Sequence, residues 1–263
     1  MLLKDKIVIV SGIGPGLGVK LAVEAAREGA AGIVVAARSA EKLDDAEARI
    51  KALGVKTKVV KQACDITSRE QCAALAAIAV KSFGRVDALV NSAFQHGEMD
   101  YASTANLDNW NDVFQTNLFG TLKLVQAVIP QMKQQKSGAI VNINTMAVRT
   151  IPSLGEAGYA ASKAALANAS KWLAKELGPD GIRCNTIHMG WMWGAPVQGY
   201  MEWQAQELKV PVEQLIEGVA KSIPLGRMPT DDECARAALF LVSDYASAVT
   251  GAALDANGGM YMP

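Results

Sequence analysis

Short apolar runs alternate along the chain with longer segments in which apolar residues recur every three or four positions. The first run is apolar at nearly every position, which is typical of a strand buried on both faces of a parallel sheet. The pattern predicts strands at residues 6–11, 32–37, 58–63, 87–91, 139–143, 182–187 and 252–255. It predicts helices at residues 17–28, 41–53, 68–83, 110–135 and 157–177, with Pro130 bending or ending the last part of the fourth helix.

Strands that alternate with helices form parallel βαβ units with right-handed crossovers. The sequence shows no linker, internal repeat or low-complexity stretch. We therefore expect an α/β fold with a doubly wound, Rossmann-type parallel sheet of about seven strands, helices on both faces and a single domain over residues 1–263. Residues 190–228 interrupt this rhythm, and a connection of that length is usually a lid or a binding loop, so we expect a substrate-binding lid there.

Composition and charge argue against several classes of protein. The chain is 50% hydrophobic, which is too apolar for a disordered protein, and its 26 basic residues equal its 26 acidic ones, so it lacks the surplus of a nucleic-acid binder. No apolar run reaches the ~18 residues of a membrane span, and the first residues lack the apolar core of a signal peptide. The four cysteines form no CxxC pair and the two histidines lie far apart, so we expect no metal site and four buried thiols in a cytoplasmic protein.

A glycine-rich turn follows the first predicted strand and opens the first predicted helix. Glycines permit a tight turn and a close approach of the backbone, and a helix N-terminus offers free N–H groups to a diphosphate. A turn at this place in a βα repeat predicts a dinucleotide site. The residues that we expect to hold the dinucleotide there are Ser11, Gly12, Gly14, Gly16, Leu17 and Gly18.

The order and spacing of several motifs resemble those of the short-chain dehydrogenase/reductase family. The turn is similar to that family's Thr-Gly-x-x-x-Gly-x-Gly motif with Ser11 in place of Thr, and Tyr159 and Lys163 match its Tyr-x-x-x-Lys motif. The resemblance extends nearly from end to end, and it includes Cys64-Asp65-Ile66-Thr67, Asn117-Leu118-Phe119-Gly120, Gly181-Ile182-Arg183-Cys184-Asn185, Thr250-Gly251 and Asn257-Gly258-Gly259. It implies an enzyme that transfers a hydride between a pyridine dinucleotide and a carbonyl or alcohol carbon.

The resemblance implies a general acid/base, Tyr159, that donates a proton to the carbonyl oxygen in reduction, while Lys163 also holds the nicotinamide ribose. The two residues are four apart on a predicted helix and share one face. A free tyrosine has a pKa of about 10, and we expect the Lys163 ammonium to lower it. Thr145 stands where the family has its catalytic Ser, with Asn144 and Ser153 as alternative donors. Asn117 resembles the family Asn that bends its helix and holds a proton-relay water.

The sequence departs from the family pattern at four places. Phe94 ends the segment that is usually Asn-Asn-Ala-Gly, and we expect its ring to narrow the cofactor groove. Thr145 replaces Ser, Met189 replaces the Pro of a Pro-Gly pair, and Gly194 stands where a Thr near the cofactor amide is common.

The end of the second strand indicates the cofactor. NAD-preferring folds place an acid there, whereas this chain has Arg38, whose guanidinium can pair with a 2′-phosphate. We therefore expect NADP(H) to be preferred, with NAD possible. Asp65 resembles the family acid that accepts a hydrogen bond from adenine. Further cofactor contacts are implied at Ile66, Asn91, Ser92, Ala93, Gly190 and Met192.

The predicted lid is rich in aromatic and methionine residues, which suits a bulky apolar ketone or secondary alcohol of steroid-like, terpenoid or aryl type. The residues that we expect to contact it are Phe94, Thr145, Trp191 and Trp193. The same tryptophans could instead pack the lid onto its own domain or onto a neighbouring subunit. His188 could be structural or touch the substrate, whereas His96 is expected in a loop.

Two other functions fit the same motifs. One is a 3-oxoacyl-carrier-protein reductase, which would favour a basic docking patch, although Arg149 is the only base close to Thr145 in sequence. The other is a non-catalytic dinucleotide-binding redox sensor, which would need no Tyr–Lys pair. The family resemblance implies a homo-oligomer, a tetramer or dimer, with which an apolar stripe of Val113, Leu118, Leu122, Val125 and Ile129 is compatible.

Overall fold

The computed structural model describes residues 1–152 and 155–263. Its sheet has the order β3-β2-β1-β4-β5-β6-β7, and every neighbouring pair is parallel. The strands are β1 (Ile7–Ser11), β2 (Gly32–Ala37), β3 (Lys58–Ala63), β4 (Ala88–Asn91), β5 (Gly138–Thr145), β6 (Ile182–Met189) and β7 (Ala253–Ala256). The doubly wound parallel sheet predicted from the sequence is confirmed.

Helices cover both faces of this sheet. They are α1 (Leu17–Arg27), α2 (Ala40–Ala52), α3 (Arg69–Phe83), α4 (Leu107–Phe114), α5 (Thr121–Gln135), α6 (Ala157–Leu177), α7 (Ala195–Leu208), α8 (Val212–Lys221) and α9 (Asp231–Val242). Successive side chains of β1 point to opposite faces, so Val8 and Val10 pack with α1, α2 and α9, whereas Ile9 packs with α3 and α5. Each such buried aliphatic side chain stabilises the fold by about 1.5–3 kcal/mol.

The predicted helix at 110–135 is wrong as a single element. Helix α4 already begins at Leu107, and a π-helical turn at Gln115–Gly120 separates it from α5. Pro130 lies inside α5 on an exposed position and does not end the helix. A π-helical turn inserts a wider hydrogen-bonded loop, which apolar periodicity does not reveal.

The segment at 190–228 folds into α7 and α8 around a small cluster of Met201, Ile223 and Met228. Helix α9 follows it and was absent from the sequence-based prediction, although Thr230 and Glu233 form a capping box at its start. All four cysteines are buried free thiols. Among the described residues, no helix is both long and apolar enough to cross a membrane.

The strand order reverses between β1 and β4, because the chain continues from β1 to β2 and β3 and then returns to the other side of β1. In open parallel sheets, ligands bind outside the carboxyl ends of the strands at such a point. Strands β5 and β6 extend beyond their predicted ends, to Thr145 and Met189, which pair with each other at this edge.

Candidate active site

A cleft of ≈ 1470 Å³ opens at the carboxyl ends of β1, β4 and β5. Its walls bring together the glycine turn, the end of β2, the start of α6 and the first residues after β6. The predicted site residues that line it are Ser11, Gly12, Gly14, Gly16, Leu17, Gly18, Arg38, Asp65, Ile66, Ser92, Ala93, Phe94, Thr145, Tyr159, Lys163, Gly190 and Met192.

The glycine turn is too crowded for side chains at two of its positions. A Cβ at Gly12, where φ is 86°, would lie 2.1 Å from the backbone nitrogen of Ala93, and a Cβ at Gly18 would lie 2.1 Å from the Gly12 carbonyl oxygen. The close packing lays the turn against the end of β4. Gly16, the N-cap of α1, has no side chain to cap the helix. The Val19 N–H bonds the Gly14 carbonyl at 3.3 Å, and the N–H groups of Leu17 and Gly18 remain free at the cleft.

Tyr159 and Lys163 lie one turn apart on α6, and both line the cleft. The Lys163 ammonium donates to the Ile143 carbonyl at 2.8 Å and lies 5.9 Å from the centre of the Tyr159 ring, and the whole residue is only 3% exposed. The main chain of β5 therefore holds the lysine against the tyrosine.

Burial raises the pKa of Tyr159, the nearby Glu156 carboxylate raises it further, and a hydrogen bond with Thr145 lowers it. This differs from the expectation that Lys163 would lower the pKa, because burial penalises the phenolate and outweighs the hydrogen bond with Thr145, which alone favours it. Burial also lowers the pKa of Lys163 to about 8. In the protein without ligand, Tyr159 is thus a neutral phenol at neutral pH, the form that donates a proton.

Thr145 and Asn144, two of the predicted donors, have different surroundings. The Thr145 Oγ1 accepts a bond from the Ala147 N–H at 3.2 Å, which leaves its own hydrogen to donate. The Asn144 amide instead donates to the Lys163 carbonyl at 3.0 Å, and its oxygen accepts from the Thr145 N–H at 2.8 Å. Asn144 therefore ties β5 to α6, and the third candidate, Ser153, lies outside the described residues.

Asn117 lies in the π-helical turn and is fully buried behind the cleft. Its amide donates to the Gln95 carbonyl and to the Ser162 hydroxyl, each at 2.9 Å, and its oxygen accepts from the Gln95 N–H at 2.8 Å. The side chain thus fixes the loop after β4 to α6 close to Tyr159, which is a positioning role.

At the far end of the cleft, Arg38 is joined by Ser39 and Lys42 of the α2 N-terminal region. The Asp65 Oδ1 accepts from the N–H and the hydroxyl of Thr67 at 2.9 and 2.8 Å, and the Thr67 backbone bond is the main cause that lowers its pKa. Asn91 does not line the cleft. It is buried between strands, where it accepts from Ser11 and donates to Asn142, because a polar ladder crosses β1, β4 and β5 there.

The aromatic residues near Tyr159 come from the loop after β4. The His96 ring stacks on the Tyr159 ring with centroids 4.9 Å apart, and the Phe94 ring lies 6.0 Å away. Trp191 and Trp193 pack against the cluster of Met201, Ile223 and Met228, which we call the lid cluster, and they do not line the cleft. The lid aromatics therefore pack largely onto their own segment, which was the alternative left open by the sequence.

Several cleft residues were not predicted from the sequence, among them His96 as a partner of Tyr159, Glu156 and Asp231. Glu156 precedes Tyr159 by three residues, a spacing that places two side chains on one helix face and could have found it. Asp231 could not be found, because its place in the cleft depends on how α9 packs against the lid. His188 lies outside the cleft and is buried beside Asp255, 3.3 Å from its carboxylate.

Comparison with known proteins identifies a family and individual proteins to which the chain is similar. The profile of the family described as Enoyl-(Acyl carrier protein) reductase matches residues 12–261. The chain is 33% identical over 257 residues to the 3-oxoacyl-[acyl-carrier-protein] reductase FabG of Staphylococcus aureus, covering 98% of both chains.

Two solved structures share the fold over nearly the whole chain. A single-residue variant of actinorhodin polyketide ketoreductase with NADPH has a TM-score of 0.88 and 29% identity, with 97% of each chain covered. The NAD+-bound xylitol dehydrogenase has a TM-score of 0.87 and 29% identity, covering 98% of this chain and 99% of its own.

Proposed function

Because the chain belongs to the short-chain dehydrogenase/reductase family, we propose that it is an NADP(H)-dependent oxidoreductase that interconverts a bulky apolar ketone and a secondary alcohol. The observation that carries this proposal is the convergence of Tyr159, Lys163 and Thr145 on one cleft with a glycine turn and an open helix N-terminus. A family member that only senses a dinucleotide has no need of a buried proton donor.

The cleft fits a pyridine dinucleotide. The crowded glycines at Gly12 and Gly18 bring bare backbone to the N-terminus of α1, where a diphosphate would bind. Lys163 would hold the nicotinamide ribose, and Asp65 would accept from adenine. When bound, the dinucleotide supplies the hydride.

In reduction, Tyr159 donates its phenolic proton to the substrate oxygen, and the Thr145 hydroxyl donates a hydrogen bond to the same oxygen. The buried Lys163 ammonium stabilises the phenolate that remains. Burial and the Glu156 carboxylate raise the pKa of Tyr159, which keeps its phenol protonated and able to donate in ketone reduction at neutral pH.

Tyr159→Phe tests the assignment of the acid. The phenyl ring preserves the packing with His96 and Phe94, so we expect NADPH binding, measured by calorimetry, to survive while turnover falls by roughly 100-fold or more. Retained turnover would remove Tyr159 from the role, and NADPH binding by the wild type without turnover on a broad carbonyl panel would favour a redox sensor.

Arg38 supports NADP(H) over NAD(H), because it faces the cleft beside Ser39 and Lys42 where a 2′-phosphate would lie. We expect Arg38→Ala to weaken NADPH binding by roughly tenfold or more and to leave NADH binding nearly unchanged. A similar loss for both cofactors would instead indicate stacking of Arg38 on adenine.

The substrate class rests on Phe94, which is 57% exposed at the cleft beside Tyr159 and offers an apolar face to a bulky carbonyl compound. A second candidate is a 3-oxoacyl-carrier-protein reductase, which the similarity to the Staphylococcus aureus enzyme favours. Arg149, the base expected for docking an acidic carrier, is engaged with Asp255. A coupled NADPH assay that compares aryl and cyclic ketones with an acyl thioester separates the two candidates.

The protein is further proposed to be a cytoplasmic homo-oligomer, a tetramer or dimer. Of the apolar stripe, Val113 and Val125 are buried in their own chain and Ile129 packs against its core, whereas Leu118 and Leu122 remain half-buried and available. Light scattering that gives the mass of one chain would overturn this proposal.

A further inference from the structure

A carboxylate without a partner forms part of the cleft wall. Asp231, the first residue of α9, lines the cleft and is 4% exposed. Its Oδ2 is buried and has no hydrogen-bond partner among the described residues. A buried polar atom of this kind costs free energy unless a ligand satisfies it.

The position of Oδ2 indicates which part of a ligand it would meet. A Cβ at Gly194, the residue before α7, would lie 1.8 Å from Oδ2, so the carboxylate fills the space of a side chain at that position. A Cβ at Gly16 would lie 3.6 Å from Oδ2. The carboxylate therefore reaches the N-terminus of α1, next to the proposed diphosphate site.

The charged groups that the structure describes near Asp231 do not form an ion pair with its carboxylate. From α1, Lys20 faces it and lowers its pKa, but this ammonium already bonds both oxygens of Asp232, at 2.9 and 3.2 Å. From α9 itself, Asp232 raises the pKa, whereas Glu233 is paired with Arg227. Burial is the largest effect, and the pKa of Asp231 rises to about 6.

We propose that Asp231 is a dinucleotide-binding residue that takes up a proton when the cofactor binds and donates it to a cofactor oxygen at the N-terminus of α1. This inference rests on the proposed dinucleotide cleft. A charged carboxylate and a diphosphate at such close range repel each other, so binding favours the neutral acid. The neutral acid gains a hydrogen-bond donor, which satisfies the orphan oxygen.

Calorimetry of NADPH binding to the wild type, from pH 7 to pH 8.5 in two buffers of different ionisation enthalpy, tests the inference. Free Asp231 is mostly ionised in this range and becomes protonated in the complex. We therefore expect uptake of close to one proton per NADPH and an affinity that falls by up to roughly tenfold per pH unit.

The Asp231→Asn variant has a neutral side chain of the same shape, and its amide can donate a hydrogen bond. We expect it to bind NADPH at pH 8 at least as tightly as the wild type, with the proton uptake removed. The difference between the two proteins also cancels any uptake by the 2′-phosphate, since a phosphate monoester has its second pKa at about 6. Glu207→Gln makes the same change of charge at an exposed position of α7, outside the cleft lining, and should keep the uptake.

Binding without proton uptake, or an Asp231→Asn variant with weakened affinity and an unchanged pH slope, would overturn the inference and leave the proposed function intact. The latter result would show instead that the ionised carboxylate accepts a bond from the cofactor. Failure of the wild type to bind NADPH at any pH would overturn the proposed function and this inference with it.

Discussion

The ring of Tyr159 lies between neighbours that the family motif does not include. His96 stacks on it at an interplanar angle of 18°, and the His96 Nε2 lies 3.0 Å from the Glu156 Oε2. The imidazole thus holds a carboxylate close to the phenol, and that charge disfavours the phenolate, which raises the pKa of Tyr159. Glu156 sets the proton affinity of Tyr159 together with burial.

Glu156→Gln should therefore lower the pKa of Tyr159 and improve it as a base. Alcohol oxidation with NADP+ requires the phenolate, so we expect the acidic limb of its kcat/KM profile to move down by roughly one pH unit. Glu98→Gln makes the same change of charge at an exposed position on the loop after β4 and serves as the control. An unmoved limb, or one moved to higher pH, would contradict this role of Glu156.

Individual site residues were predictable where they depend on local spacing. Tyr159 and Lys163 share a helix face, and the glycines follow a strand, so sequence alone brought them to one edge of the sheet. The family resemblance implied a cofactor contact at Asn91, the last residue of β4. Its amide instead serves the ladder with Ser11 and Asn142, and such cross-strand pairs are visible only once the strand order is known.

At the scale of elements, the sequence predicts the ends of helices and strands well where particular residue types mark them. The sequence-predicted bounds of β2, β3 and α6 match the structure, since glycine, proline and the apolar runs delimit them. The family resemblance implied a bend at Asn117, but it did not predict that a π-helical turn there divides the fourth helix in two. Its cause is tertiary: Asn117 bonds the loop after β4, and Gly120 packs so closely on Ile66 that a Cβ would lie 2.9 Å from the Ile66 Cγ1.

The glycine turn gives a prediction with a control in the same motif. A Cβ at Gly18 would meet the Gly12 carbonyl oxygen, whereas a Cβ at Gly14 would have no heavy atom within 4 Å. Gly18→Ala should lower the free energy of unfolding by about 1–3 kcal/mol through overpacking, and Gly14→Ala should leave it unchanged or slightly raised.

Urea denaturation of the two variants and the wild type measures this difference. Equal stabilities would show that the turn relaxes around the added methyl group. The tight contact between the turn and α1 would then not be needed to keep the N-terminus of α1 accessible from the cleft.

At the scale of the molecule, the alternation of strands and helices predicted the layers of the fold but not the order of strands within the sheet. The two cores follow from that order, because β1 and β4 lie inside the sheet and contribute side chains to both faces. The surroundings of the tryptophans at 190–228 likewise depend on tertiary packing, which the sequence pattern does not show. Their type suits a substrate pocket, but only the packing of α7 and α8 shows that Trp191 and Trp193 cover the lid cluster.

The buried Lys163 of the site should make the stability of the whole fold depend on pH. The pKa of Lys163 falls from its ordinary value of 10.5 to about 8 on folding. The unfolded chain therefore binds more protons than the folded protein between these pH values, so this residue makes stability rise with pH there. The full change is roughly 3 kcal/mol, and it is absent when the side chain cannot ionise.

Lys163→Met keeps most of the length of the side chain and removes its charge. We expect the unfolding free energy of the wild type, relative to this variant, to increase by roughly 3 kcal/mol between about pH 7.5 and pH 10.5, as measured by urea denaturation without cofactor. Lys171→Met, at another lysine of α6 where the side chain is exposed, should show no such trend. A constant difference across this range would mean that Lys163 keeps its charge in the folded protein, held by the bond to the Ile143 carbonyl, and that Tyr159 faces a full ammonium even at alkaline pH.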